Sequence, residues 1–134
     1  MGLPDFRDSR WIPTLDAPVE GDDYITMYVI LWRFRPLEGR EIEFERAYGP
    51  SGEWALLFSR DDGYLGTELL RRSEDPGEYL TLDRWVSRTA YETFRSRFSS
   101  EYRRLDRLFE ELTEEEFPLG AFEVLPRSAS VTPE

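Results

Sequence analysis

The stretch YITMYVILWRF, Tyr24–Phe34, decides how the chain must fold. β-Branched and aromatic residues dominate it, the composition of a pleated strand. Successive strand residues point to opposite faces. Ile25, Met27, Val29 and Leu31 therefore share one side, and Tyr28, Ile30, Trp32 and Phe34 share the other. Both sides are apolar, so this strand has to be covered front and back.

Working outward, PLEGREIEFERAY reads as a turn at Pro36–Gly39 followed by a short helix carrying Ile42, Ala47 and Tyr48. Gly49-Pro50 ends it, because proline disfavours helical geometry in the residue before it. Ser51 is placed to cap a second helical piece whose Trp54, Leu57 and Phe58 fall on one stripe. GYLGTELLRR and GEYLTLDRWV read as two strands joined by turn chemistry at Asp75-Pro76-Gly77, with Pro presetting φ and Gly supplying positive φ. In the second of these, Leu80 and Leu82 alternate with Tyr79, Thr81 and Trp85, repeating the two-sided pattern. Ser87 is placed to cap a long helix over about 88–112. Its apolar residues at 91, 94, 98, 102, 105, 109 and 112 recur at helical intervals, with a solvated Arg/Glu face opposite. Thr113 and Glu116 match a capping box for a further short turn. GAFEVL, Gly120–Leu125, closes as a strand.

The order is β-α-β-β-α-β, an α+β fold of ferredoxin-like type with a four-stranded antiparallel sheet. Residues 1–23 read as an irregular arm, 24–125 as the domain and 126–134 as a fraying tail. Helices cover one face of such a sheet. The aliphatic face (Ile25, Met27, Val29, Leu31, Leu80, Leu82) would be too large an apolar patch to leave bare, and the same face of a second copy is the simplest cover. A homodimer with its two sheets packed face to face is expected. The alternative is a monomer with the arm folded over that face.

Of the 134 residues, 40% are hydrophobic and 15% aromatic, enough for one packed domain. The net charge of −11 argues against gripping nucleic-acid phosphates or anionic lipid. No apolar run approaches a membrane span and the N-terminus has no signal-peptide core, so a cytoplasmic location is expected. The chain has no Cys, His, Lys, Asn or Gln. Thiolate, imidazole and Schiff-base chemistry are therefore closed to it, and no metal-binding spacing is present. Proton transfer is left to Asp, Glu, Tyr, Arg or water. Asp83 stands out, because a carboxylate between buried strand neighbours has to be paired or hydrogen-bonded, and burial would move it toward the range of a general base.

LWRFRPLEGREIEFERAYGP, GYLGTELL, YLTLDRWVSRTAYETFRSRF and GAFEVL resemble the antibiotic biosynthesis monooxygenase domain of the dimeric α/β-barrel superfamily, over about 24–125. The resemblance implies a ligand cavity within each protomer, between sheet and helices. Its walls here would be Tyr28, Trp32, Trp54, Phe58, Trp85 and Phe94, with Asp83 or Tyr28 handling protons and Trp85 stacking on a flat ligand. It implies cofactor-free oxygenation of a small aromatic or quinol-type compound, with no cofactor and no metal. Non-catalytic binding of a small molecule, a stress-linked role, or an isomerase or cyclase on the same scaffold stay open as alternatives. Haem-degrading relatives use an amide and a histidine where Trp32 and Phe94 stand, so that chemistry is not expected.

Overall fold

The computed structural model describes residues 27–125. The expected arm, the first residues of the opening strand (24–26) and the tail lie outside them. Strands β1 (Tyr28–Pro36), β2 (Tyr64–Arg71), β3 (Tyr79–Trp85) and β4 (Thr113–Glu123) form one sheet in the order β2-β3-β1-β4. All three neighbouring pairs are antiparallel. Helices α1 (Glu41–Tyr48), α2 (Glu53–Phe58), α3 (Arg88–Arg97) and α4 (Ser99–Phe109) complete a ferredoxin-like α+β fold.

The two faces of β1 separate as the alternation requires. Tyr28, Ile30, Trp32 and Phe34 join the buried core with Tyr79 and Trp85 of β3 and with the inner rings of all four helices. On the opposite face Leu31 pairs with Leu82, Arg33 with Leu80 and with Phe117, and Val29 with Phe122. Phe117 and Phe122 are each 50% exposed, and Leu31, Leu80 and Leu82 are half-buried.

Several local expectations give way. Phe44 turns inward from α1 with Ala47 and Tyr48, while Ile42 points to solvent. Gly52, not Ser51, is the N-cap of α2, and no side chain caps it. A Cβ at Gly52 would lie 2.3 and 2.4 Å from the carbonyl oxygens of Arg46 and Ala47, so α1 and α2 meet as closely as backbone allows. Gly77 does not adopt positive φ. The Asp75–Glu78 turn closes with a 2.9 Å backbone bond, and a Cβ at Gly77 would come within 2.8 Å of the Arg35 guanidinium.

The long helix is two. Phe98, at φ −112° and ψ 30°, interrupts it before Ser99 and Ser100, residues whose hydroxyls compete for backbone groups. Thr113–Glu116 does not start a helical turn. It opens β4, pairing with Phe34, Arg35 and Pro36 of β1. Pairing with a neighbouring strand overrides the helical preference of the glutamates, and Arg33 reaches Glu115 at 3.5 Å across the ladder.

Candidate functional site

Strand β1 contributes Ile30, Trp32 and Phe34 to a cavity between the sheet and the helices, and β3 contributes Thr81 and Asp83. Thr67 enters from β2, Tyr48 from α1, Trp54 and Phe58 from α2, Tyr91 from α3 and Tyr102 from α4. The cavity is about 20 Å³, on the order of one water, so a flat ligand must displace neighbouring groups to enter. Its walls are aromatic and interlocked: Trp54 meets Tyr102 edge-on at 5.0 Å and Phe58 at 5.9 Å, and Phe44 stacks on Tyr48 at 4.4 Å. Each such pair adds roughly 0.5–1.5 kcal/mol beyond area burial.

Asp83 faces the cavity because it alternates with Leu82 and Arg84 on β3. Its Oδ1 accepts a 2.6 Å hydrogen bond from the Thr67 hydroxyl, which lies 2.5 Å from the Tyr64 hydroxyl. A carboxylate so held, half-buried among rings, can take a proton from a neighbouring group.

Of the residues expected from sequence, Trp32, Trp54, Phe58 and Asp83 line the cavity. Tyr28, Trp85 and Phe94 do not. They pack on its wall: Trp85 meets Phe58 at 5.7 Å and Tyr91 at 5.4 Å, Phe94 meets Phe58 at 5.3 Å, and Tyr28 meets Tyr91 at 5.9 Å. Tyr28 and Trp85 are cross-strand partners. The Tyr28 hydroxyl and the Trp85 indole N–H are buried without a hydrogen-bond partner. Burial, with smaller contributions from Tyr91 and Glu92, pushes the Tyr28 phenol well above its ordinary value. Tyr28 therefore keeps its proton near neutral pH.

Three features escaped the sequence reading. The first is the ring of tyrosines, Tyr48, Tyr91 and Tyr102, which that reading assigned to the apolar stripes of their helices. The second is the Tyr64–Thr67 pair. The third is Arg95, assigned to the solvated side of the long helix. Arg95 is buried. It donates to the Tyr91 hydroxyl at 3.2 Å, and its guanidinium stacks 4.0 Å above the Tyr102 ring. A cation thus lies directly behind two cavity walls, where negative charge on a bound oxygen would be favoured. Among the described residues no group of three or more metal-ligating side chains is gathered, and no helix is long and apolar enough to cross a membrane.

The antibiotic biosynthesis monooxygenase family model matches residues 27–105. The chain belongs to this family. Solved structures share the fold at low identity. One is a variant of SnoaB, a cofactor-independent oxygenase from Streptomyces nogalater, at 17% identity and TM-score 0.54, covering 81% of this chain and 98% of that one. A Bordetella bronchiseptica structure carrying the family's name is 23% identical with TM-score 0.56, over 75% of this chain and 97% of its own. Another from Nitrosomonas europaea is 12% identical with TM-score 0.59, over 81% and 98%. No curated protein matches the chain.

Proposed function

We propose that this family member is a cofactor-independent monooxygenase-like enzyme acting on a small aromatic or quinol-type compound bound in the ring-lined cavity. The observation that carries the reading is Asp83, a hydrogen-bonded carboxylate set among aromatic walls. The SnoaB likeness supports it at the level of fold.

In this reading Asp83 removes a proton from a phenol or an acidic ring methylene. The resulting anion is flat, electron-rich and stabilised by delocalisation, by the wall donors and by Arg95 behind Tyr91 and Tyr102. It gives one electron to dioxygen, and the radical pair combines to a peroxide. Loss of water leaves a carbonyl, so that R₂CH₂ and O₂ become R₂C=O and H₂O. The substrate supplies all the electrons.

The test is oxygen uptake with anthrone and a panel of hydroquinones. Wild type should consume oxygen above buffer and Asp83→Asn should fall roughly 10²-fold or more. Equal rates in wild type, Asp83→Asn and buffer would remove the proposal. Turnover that persists without oxygen would point to an isomerase or cyclase instead. A second reading, ligand binding without turnover, draws on the Thr67 hydrogen bond, which also suits a structural carboxylate. Saturable binding of the same compounds with no oxygen uptake would favour it.

The same reading includes a homodimer joined through the open sheet face, in the soluble interior of the cell. Support comes from Leu31, Leu80, Leu82, Phe117 and Phe122, which share that face and retain exposed apolar surface.

A further inference from the structure

β2 carries one residue more than β3 needs. Its register steps from Tyr64 opposite Trp85 to Gly66 opposite Arg84, leaving Leu65 unpaired and 50% exposed. Gly66 sits at φ 144°, a backbone state that side chains rarely allow. In an unbroken strand Tyr64 and Thr67, three positions apart, would point to opposite faces. The bulge turns both to the cavity side, hydroxyl to hydroxyl at 2.5 Å, with Thr67 2.6 Å from Asp83. The direction of this chain follows from its end. An ionised carboxylate only accepts, so Thr67 donates to Asp83 and Tyr64 donates to Thr67. Thr67 and Asp83 line the cavity. Tyr64 stands against Phe58 and Trp85 on the edge strand of the sheet and keeps part of its surface in solvent.

We propose that Tyr64 and Thr67 are positioning residues that set the protonation of Asp83 and form its proton exit to solvent. The inference rests on Asp83 being the base. Once Asp83 has taken the substrate's proton it becomes a donor, and the Thr67 and Tyr64 hydroxyls rotate about their C–O bonds to reverse the chain: Asp83 passes a proton to the Thr67 oxygen, Thr67 passes its own to the Tyr64 oxygen, and Tyr64 releases one to water. Three O–H bonds break and three form, and no oxidation state changes. Burial holds the Tyr64 phenol above its ordinary value, which keeps it a donor in the resting chain. The other groups facing Asp83 across the cavity are Tyr48, Tyr91 and Tyr102, with Arg95 behind the last two. None belongs to the β2 bulge.

The experiment is a carboxyl ¹³C NMR titration of Asp83 in the full chain, assigned by its loss in Asp83→Asn and independent of any substrate. A donor to the ionised form lowers a carboxyl pKa. Thr67→Val should therefore raise the Asp83 midpoint by about one to two units, Tyr64→Phe should raise it less, and Thr67→Ser should restore it. A midpoint unmoved by both Thr67→Val and Tyr64→Phe overturns the proposal. With any hydroquinone that wild type oxidises, Tyr64→Phe should lower kcat roughly tenfold at unchanged KM and enlarge the solvent isotope effect. Unchanged kcat and isotope effect overturn the exit path. If the midpoints move as stated while wild type shows no oxygen uptake, the coupling stands and the oxygenase reading falls.

Discussion

At the scale of single residues, burial reassigns the roles that composition alone would give. Arg95 is one of 17 arginines and the chain's only cationic side chains are arginines, so nothing in its identity marks it. Its position does: it is four residues after Tyr91 and seven before Tyr102, on the margin of the apolar stripe. Its long stem follows that stripe while the guanidinium finds two tyrosines. Replacing it with methionine keeps most of the volume and removes the cation–π contact and the bond to Tyr91. We expect a loss of about 2–3 kcal/mol in urea unfolding, together with weaker binding of phenolate-forming ligands at pH values where they ionise. Asp83 was visible from the sequence because a carboxylate sharing a strand face with Thr81 and Trp85 needs an explanation. Its Thr67 partner was not, because the Gly66 bulge that turns Thr67 inward leaves no mark in the hydrophobic alternation.

Elements were legible where local chemistry and tertiary packing agree. Ser87 caps α3 as expected, accepting from the Ala90 N–H at 3.1 Å. Ser87→Ala should cost about 1 kcal/mol of stability by chemical denaturation. Where the two disagree, packing wins. Thr113–Glu116 carries a helical start signal and becomes strand because β1 offers it a ladder. Ser51 is a good cap by type, but the close approach of backbone at Gly52 decides where α2 begins.

The β2–β3 turn was correctly placed, yet it is held by Arg35 as well as by its own turn residues. Arg35 Nη2 donates to Asp75 Oδ2 at 2.6 Å, and the Gly77 N–H donates to Asp75 Oδ1 at 3.2 Å. The Arg35 bond, more than that of Gly77, keeps the Asp75 carboxyl below its ordinary value. A carboxyl lowered by folding contributes stability above its unfolded value of about 3.9, and that contribution disappears as pH falls through the lower folded value. The stability difference between wild type and Asp75→Asn should hold steady above about pH 5 and shrink toward pH 2. A gap that does not change over that range would show that Arg35 does not set the turn.

For the whole molecule, one strand organises both surfaces of the sheet. The aromatic side of β1 closes under four helices and builds the cavity. The aliphatic side keeps Leu31 beside Leu82 and faces outward with Phe117 and Phe122. This division was readable from Tyr24–Phe34, since only a strand apolar on both sides demands two covers. The proposed occupant of the second side is a second copy, since a two-fold axis would let the same apolar face cover itself. Light scattering across a size-exclusion peak at micromolar concentration tests this most directly. A homodimer of two 15.9 kDa chains gives a mass near 32 kDa, twice 15.9, and Leu82→Glu should shift it toward the single-chain value. A wild-type mass of 15.9 kDa under the same conditions would contradict the paired-sheet assembly.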